Sequence, residues 1–223
     1  MAHPLDAAVF NALTTHQRAF AVGEGAALRF RADVSPIATT DAASAGALAA
    51  LIAPGDDISL LAPQPPAPPA RVEETLRAAC LQMTFAKLPQ NTPRIDFIEL
   101  SDADAAEMLA LALLTRPGPF YAKTHTLGRF IGVREKGRLI AMAGERLHLP
   151  GYREISAICT HPDHRGKGLG AALTCAVAAR IFEDGEIPFL HCYASNKAAV
   201  SLYRALGFET RAEVLHAVWR RPA

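Results

Sequence analysis

The chain has little charge to offer a partner: 23 lysines and arginines stand against 22 aspartates and glutamates, a formal net charge of +1. That balance argues against nucleic acid and anionic membrane as general partners, and no basic patch with interleaved aromatics appears. Hydrophobic runs are short. None reaches the ~18 apolar residues of a membrane span, and the start, Met-Ala-His-Pro-Leu-Asp, lacks the charged and apolar regions of a secretory signal. The four cysteines, Cys80, Cys159, Cys175 and Cys192, form no Cys-x-x-Cys pair, so reduced, mostly buried thiols of a cytoplasmic protein are expected. No G-x-x-x-x-G-K-[ST] run exists, which excludes a triphosphate P-loop. No Ser-His-Asp arrangement has support. His161 and His164 lack partners at ligand spacing, so no metal is expected.

What is present is a strand that ends in a basic, glycine-rich turn and opens a helix: Glu154-Ile-Ser-Ala-Ile-Cys-Thr-His-Pro-Asp-His-Arg-Gly-Lys-Gly-Leu-Gly170. The following helix has apolar positions at Leu169, Leu173, Ala176, Val177 and Ile181, a spacing of three and four that gives it one buried face. Arg165 and Lys167 stand at its entry with no acid in its first turns. Unpaired N–H groups at a helix start attract an anion, and glycines at 166, 168 and 170 let a phosphate approach the backbone. A dinucleotide fingerprint is formally met by Gly166, Gly168 and Ala171. It fails its second test. The next strand, Ile187 to Tyr193, closes on His191, Cys192 and Tyr193 where an acid should hold the ribose.

The run Arg165-Gly-Lys-Gly-Leu-Gly170 matches [QR]-x-x-G-x-[GA], with Pro162 three residues before it. Downstream, Asn196-Lys-Ala-Ala-Val-Ser-Leu-Tyr203-Arg-Ala-Leu-Gly207-Phe208 matches N-x-x-A-x-x-L-Y-x-x-x-G-F. In these two motifs the chain resembles the GNAT superfamily of acetyl-CoA-dependent N-acyltransferases, over roughly Arg94 to Arg221, with Thr160 standing where the family usually has Val. The resemblance implies an α/β GNAT fold, a mixed central sheet flanked by helices. It also implies acetyl-CoA as cosubstrate, a pyrophosphate held by Arg165, Gly166, Lys167, Gly168, Leu169 and Gly170, and pantetheine along the backbone of Ile158, Cys159 and Thr160. Tyr203 takes the family's tyrosine position, able to protonate the leaving thiolate, and Asn196, seven residues earlier, lies on the same helical face to touch the same CoA arm.

Acyl transfer needs a neutral amine, whereas an alkylammonium near pKa 10.4 is almost wholly protonated at pH 7, so a base is required. Glu154, eleven residues before Arg165, lies where GNAT members with a strand glutamate place theirs; the competing reading is a glutamate paired with Arg153, Arg134 or Arg146. Alternation puts Tyr152, Glu154, Ser156 and Ile158 on one face and Ile155, Ala157 and Cys159 on the other. A covalent route through Cys159 wants a neighbouring base that the pattern does not supply, so direct attack is expected. Arg116 and Phe120, in the break after the first helix of the motif-bearing half, are candidate acceptor contacts. The acceptor is a small-molecule or peptide amine, and a homodimer is left open. The competing function is a CoA-binding sensor or partner module that does not catalyse transfer.

At 223 residues the chain is long for one such domain. Residues 1–90 are expected to form a smaller α/β domain and 91–223 the GNAT domain, the two separated near Pro89 and Pro93. In the first, helices are expected over Asp6 to Phe20, Asp41 to Ile52 and Arg71 to Cys80, with strands at Leu28 to Arg31, Ile58 to Leu61 and Leu81 to Phe85. Five prolines between Pro63 and Pro69 suit a stiff extended connection. This segment is similar in outline to the glycine N-acyltransferase-like branch and is either a degenerate second acyltransferase-like half or a packing domain. In the second, a strand at Ile95 to Leu100 and a helix capped by Ser101 precede a hairpin, Phe130 to Arg134 and Arg138 to Leu147, closed by Glu135-Lys-Gly137. Val214 to Trp219 reads as the last strand.

Overall fold

A computed structural model describes residues 3–88 and 95–223. In chain order the strands are β1 (Ala21–Glu24), β2 (Ala27–Phe30), β3 (Ile37–Thr39), β4 (Asp57–Ala62), β5 (Glu73–Thr84), β6 (Ile98–Leu100), β7 (Phe130–Glu135), β8 (Arg138–Leu149), β9 (Tyr152–Thr160), β10 (Ile187–Tyr193) and β11 (Glu209–Arg220). The helices are α1 (Ala8–Thr14), α2 (Ala45–Ala50), α3 (Ala105–Thr115), α4 (Leu169–Glu183) and α5 (Lys197–Ala205). All the strands join one mixed sheet in the order β1-β2-β3-β4-β11-β5-β10-β9-β8-β7-β6.

Alternation along the strands sorts the helices. Leu190 and Cys192 pack with α4 and α5, whereas Phe189 packs with α1. Ala141 and Ala143 join the α4 cluster while Met142 turns to α3. So α1 and α3 cover one face of the sheet, and α4 and α5 cover the other.

The β7–β8 hairpin turns as expected, with Lys136 and Gly137 both at positive φ, 51° and 81°. Ser101 caps its helix through a reciprocal pair with Asp104. Along α3, Met108, Leu111 and Ala112 are buried, while Leu113 is 64% exposed. The helix expected from Asp6 to Phe20 is shorter, a single α-helical stretch Ala8–Thr14 between two 3-10 turns. Thr14 and Thr15 return their hydroxyls to the carbonyls of Phe10 and Asn11, which competes with helix propagation. Gln17 then turns inward and donates to the carbonyls of Leu127 and Arg146 at 3.2 and 2.6 Å.

The largest departure is at Arg71 to Phe85, expected as helix then strand. One strand, β5, runs through most of it. Its residues are good helix formers, but β5 pairs with β10 on one edge and β11 on the other. Two hydrogen-bonded ladders outweigh preferences of less than about 1 kcal/mol per residue. β5 belongs to the segment expected as a separate first domain, yet it lies between two strands of the motif-bearing half. The boundary expected at 90/91, with Pro89 and Pro93, falls outside the described residues.

Trp219, fully buried with Leu48, Ile52 and Ile58, binds α2 to β4 and β11 inside the sheet. Trp219→Ala is expected to cost about 3–5 kcal/mol, read as a lower urea midpoint by far-UV circular dichroism. A second, separate transition would show that the N-terminal strands unfold independently of β5 and β11.

Candidate functional site

The site begins where two neighbouring strands part. β9 and β10 pair only between Tyr152–Glu154 and Ile187–Phe189. Beyond that point β9 stays with β8 as far as Thr160, and β10 stays with β5 as far as Tyr193. The divergence has a local cause. Ala157 sits at φ 52°, and the β8–β9 register shifts between Met142 and Gly144 around it, a bulge that bends the strand. Left-handed backbone costs a non-glycine residue about 1–2 kcal/mol, and such strain persists where surrounding structure holds it.

The bulge also breaks the expected alternation. Ile155 and Ile158, three apart, both pack on the α4 side, and Ala157 and Cys159 pack on the α3 side. Glu154 and Ile158 therefore do not share a face, because one extra residue in the strand reverses the phase.

A cavity of about 420 Å³ occupies the gap. At one end it is lined by Ile158, Cys159, Thr160, Arg165, Asn196 and Tyr203. These include seven-apart Asn196 and Tyr203, although Asn196 is not inside the helix but caps it, accepting from the Ala199 N–H at 3.1 Å. Beside this end α4 starts at Leu169 behind Gly168, which caps it in the left-handed conformation (φ 75°) with no side-chain partner for the first N–H groups. A side-chain carbon at Gly166 or Gly168 would meet nothing within 4 Å, so the turn is open as well as positively charged. This is the chemistry a pyrophosphate needs. The residues therefore fit coenzyme A: the turn from Arg165 to Gly170 for the phosphates, and the unpaired β9 edge for the pantetheine amides.

At its other end the cavity reaches the α1 and α3 face. Ile37, Ser59, Leu61 and Cys80 come from β3, β4 and β5, and His216 from β11. None of these was anticipated from sequence, since they become neighbours only through sheet order. Arg116 does line the cavity, followed by Pro117. Phe120 does not. It is buried against Phe130, ring centroids 5.8 Å apart and edge to face, and serves the α3 core.

Residues 130–219 match the family described as FR47-like protein. A solved structure titled putative acetyltransferase from the GNAT family, from Novosphingobium aromaticivorans, is 38% identical, superposes with a TM-score of 0.92 and covers 100% of both chains. The chain belongs to the GNAT family. A GCN5-related N-acetyltransferase from Kribbella flavida shares the fold at 19% identity, with a TM-score of 0.67 over 97% of this chain and 96% of that one. Among curated proteins, mycothiol acetyltransferase of Mycobacterium sp. (strain JLS) is 32% identical over 114 residues, 49% of this chain but 35% of that protein. The matched segment is thus about a third of the curated relative's length. None of these relatives is named as a glycine N-acyltransferase, so the expected likeness to that branch is not shown.

In this GNAT chain the strand glutamate lies behind the cavity wall. Glu154 is fully buried, its carboxylate bridged by Arg146 at 2.8 Å (Nε to Oε2) and 2.6 Å (Nη2 to Oε1), with His191 Nδ1 at 2.7 Å from Oε1. Burial alone would raise its pKa, but the Arg146 charge, with His191 and the hydrogen bonds, outweighs burial and holds it at about 2. That corrects the expectation of Glu154 as the base touching the amine. It is the paired glutamate, and of the three arginines considered, Arg146 is the partner. His191 is locked as well. Arg211 Nε donates to Gln82 Oε1 at 2.6 Å, which turns the Gln82 amide nitrogen towards the Leu5 carbonyl and His191 Nε2, at 3.0 and 3.1 Å. Nε2 therefore accepts, and Nδ1–H donates to Glu154.

Tyr193 and His216 also line the cavity, alongside His191 and Arg146, and are joined at 2.7 Å from hydroxyl to Nδ1. Burial, with Arg146 and His191 nearby, drives His216 down to about 4. Cys159 and Cys80 are pushed up to about 11 and about 12, chiefly by burial, so neither presents a thiolate. His161 hydrogen-bonds Arg138, and His164 hydrogen-bonds Glu135. Away from the cavity, ligand atoms of His16, His148 and Glu186 lie within 4.8 Å of one another. The Arg153 guanidinium is already among them, 2.8 Å from Glu186 Oε2 and 3.2 Å from His148 Nε2, and supplies the positive charge a cation would bring.

Glu154→Gln strands the Arg146 charge in the interior and is expected to cost about 3–5 kcal/mol at pH 7. The carboxyl is depressed by folding from 4.5 to about 2, so its contribution is present above pH 4.5 and lost as pH falls towards 2. The stability of Glu154→Gln should therefore fall less steeply than wild type across that window in urea titrations. Parallel slopes would mean that the carboxylate titrates normally.

Proposed function

We propose that the protein transfers an acetyl group from acetyl-CoA to a primary amine by direct attack. The observation that carries this is the splayed β9–β10 pair, with the glycine turn and α4 start at one end of the gap and a pocket lined by Tyr193 and His216 at the other. Acetyl-CoA supplies an activated thioester carbonyl and a thiol leaving group. The chain's part is position and charge. Backbone N–H groups on the free β9 edge, at Ile158 and Thr160, hold the carbonyl oxygen as it gains negative charge, favouring the transition state over the ground state, while the Cys159 N–H between them faces β8.

Tyr203 lines the same cavity, and burial pushes its hydroxyl above the usual range, so it is protonated at neutral pH and able to donate to a departing sulfur. Asn196 lies about two turns away at the helix cap and keeps its amide nitrogen for the CoA arm. The acceptor's proton leaves beside Tyr193 and His216. A neutral imidazole with a pKa of about 4 is in accepting form but is a weak base. Deprotonation of the amine itself therefore carries most of the rise in rate with pH.

A cavity of about 420 Å³, part of it needed for the CoA arm, leaves room for a small amine. Gly168→Asp places a charge, and a side chain at φ 75°, against the pyrophosphate. It is expected to abolish acetyl-CoA binding by calorimetry while the melting temperature stays within a few degrees; undiminished binding would remove the anion site. Tyr203→Phe should lower turnover, measured as thiol release, by about 10²-fold with acetyl-CoA affinity nearly intact. Equal loss of affinity would make Tyr203 a packing residue.

A further inference from the structure

Resting on the acetyltransferase reading above, we infer that the acceptor is a small amine that itself carries a carboxylate, a compound of the amino-acid class, and that Arg116 binds that carboxylate. The inference starts from the charge of the cavity. Three arginines line it, Arg116, Arg146 and Arg165, and among the described residues no aspartate, glutamate or lysine does. A polyamine or amino sugar brings only positive charge into such a wall, with no acid to receive it. An amine with its own carboxylate is close to neutral overall and presents an anion to the arginines.

The three arginines are not equivalent. Arg165 opens the glycine turn and is committed to the phosphate end. Arg146 has spent Nε and Nη2 on Glu154, which balances its charge and leaves Nη1 as a hydrogen-bond donor. Arg116 is exposed at the rim. Its backbone is also unusual. It ends α3 in the left-handed conformation, φ 52° and ψ 55°, a place where glycine is favoured, with its N–H held 2.7 Å from the Ala112 carbonyl. Pro117, Gly118 and Pro119 follow and also line the cavity, so a stiff rim carries this arginine. A guanidinium there has a free fork for a carboxylate. The amine then lies inward, towards Tyr193 and His216, with the carboxylate outward.

The test is thiol release from acetyl-CoA with the L-amino acids, their amides and spermidine. An amide has the less basic amine and so the larger neutral fraction at a given pH. A charge-blind site would therefore favour the amide. The expected result is a kcat/KM at least about tenfold higher for preferred amino acids than for their amides, the size of one charge-assisted contact. Arg116→Gln should lower kcat/KM for the acids by about tenfold, leave the amides unchanged and so collapse the ratio, with partial recovery in Arg116→Lys. Amides or spermidine acetylated as fast as the acids would overturn the inference and leave the transferase reading standing. An Arg116→Gln variant that slows acids and amides equally would overturn the role of Arg116. Thiol release from other primary amines but from no amino acid would overturn the inference alone, and acetyl-CoA binding without release from any primary amine, amino sugars included, would sink the transferase reading with it.

Discussion

The buried Glu154 carboxylate is the constraint around which the site is arranged. A carboxylate with no exposure is tolerable only when its charge is matched and its oxygens are satisfied. Arg146 on β8 and His191 on β10 do this from the strands either side of β9. The pairing ties three neighbouring strands together at the last point where β9 and β10 are still hydrogen-bonded, Glu154 opposite Phe189. One residue further on the ladder ends. The ion pair thus acts as a clasp at the apex of the splay, and the cavity begins where the clasp stops. The network also reaches backwards, through Gln82 and Arg211, to Leu5 and Asp6 at the start of the described chain.

Division of labour between the two faces follows from that gap. On the proposed function the donor end needs backbone more than side chains: an unpaired strand edge, a helix start without a side-chain cap, and glycines that leave room. Its residues are close together in sequence, from Ile158 to Gly170 and from Asn196 to Tyr203. The acceptor end is built from side chains of strands far apart in the chain, Ile37, Ser59, Cys80 and His216, which meet because β11 inserts between β4 and β5. A thiol nucleophile is disfavoured at both ends, because burial keeps Cys159 and Cys80 protonated.

This explains what could be read from sequence and what could not. The glycine turn, the helix after it, the Asn196 to Tyr203 segment and the β7–β8 hairpin are local patterns whose spacing carries their geometry, and each lies where its pattern pointed. The role of Glu154 turned on a contact eight residues away across a hairpin and another on β10, which periodicity does not encode. The bulge at Ala157 had no signal, since alanine is not the residue expected at positive φ. Phe120 and Arg116 stand four residues apart, yet one is core and the other faces the cavity. The break in α3 that separates them was visible, but its direction was not. β5 was misread because its Glu, Leu, Arg and Ala favour helix in isolation, and only pairing on both edges makes it a strand.

The same geometry limits how far partial relatives can inform on substrate. The family match covers residues 130–219, which contain the clasp, the splay, the glycine turn and the donor-side tyrosine. Ile37, Ser59, Leu61, Cys80 and Arg116 lie outside it, and all of them line the cavity. On the proposed function, a protein that matches only this segment shares the means of holding an acyl-CoA and the Tyr193 and His216 part of the cavity wall, but not the part built by β3, β4, β5 and Arg116. Acceptor choice, on the same proposal, therefore draws on both parts of the chain: Arg116 and the side chains of β3, β4 and β5 outside the matched segment, and Tyr193 and His216 within it. Swapping those strands between relatives would move specificity, while the clasp at Glu154 would keep the splay in place.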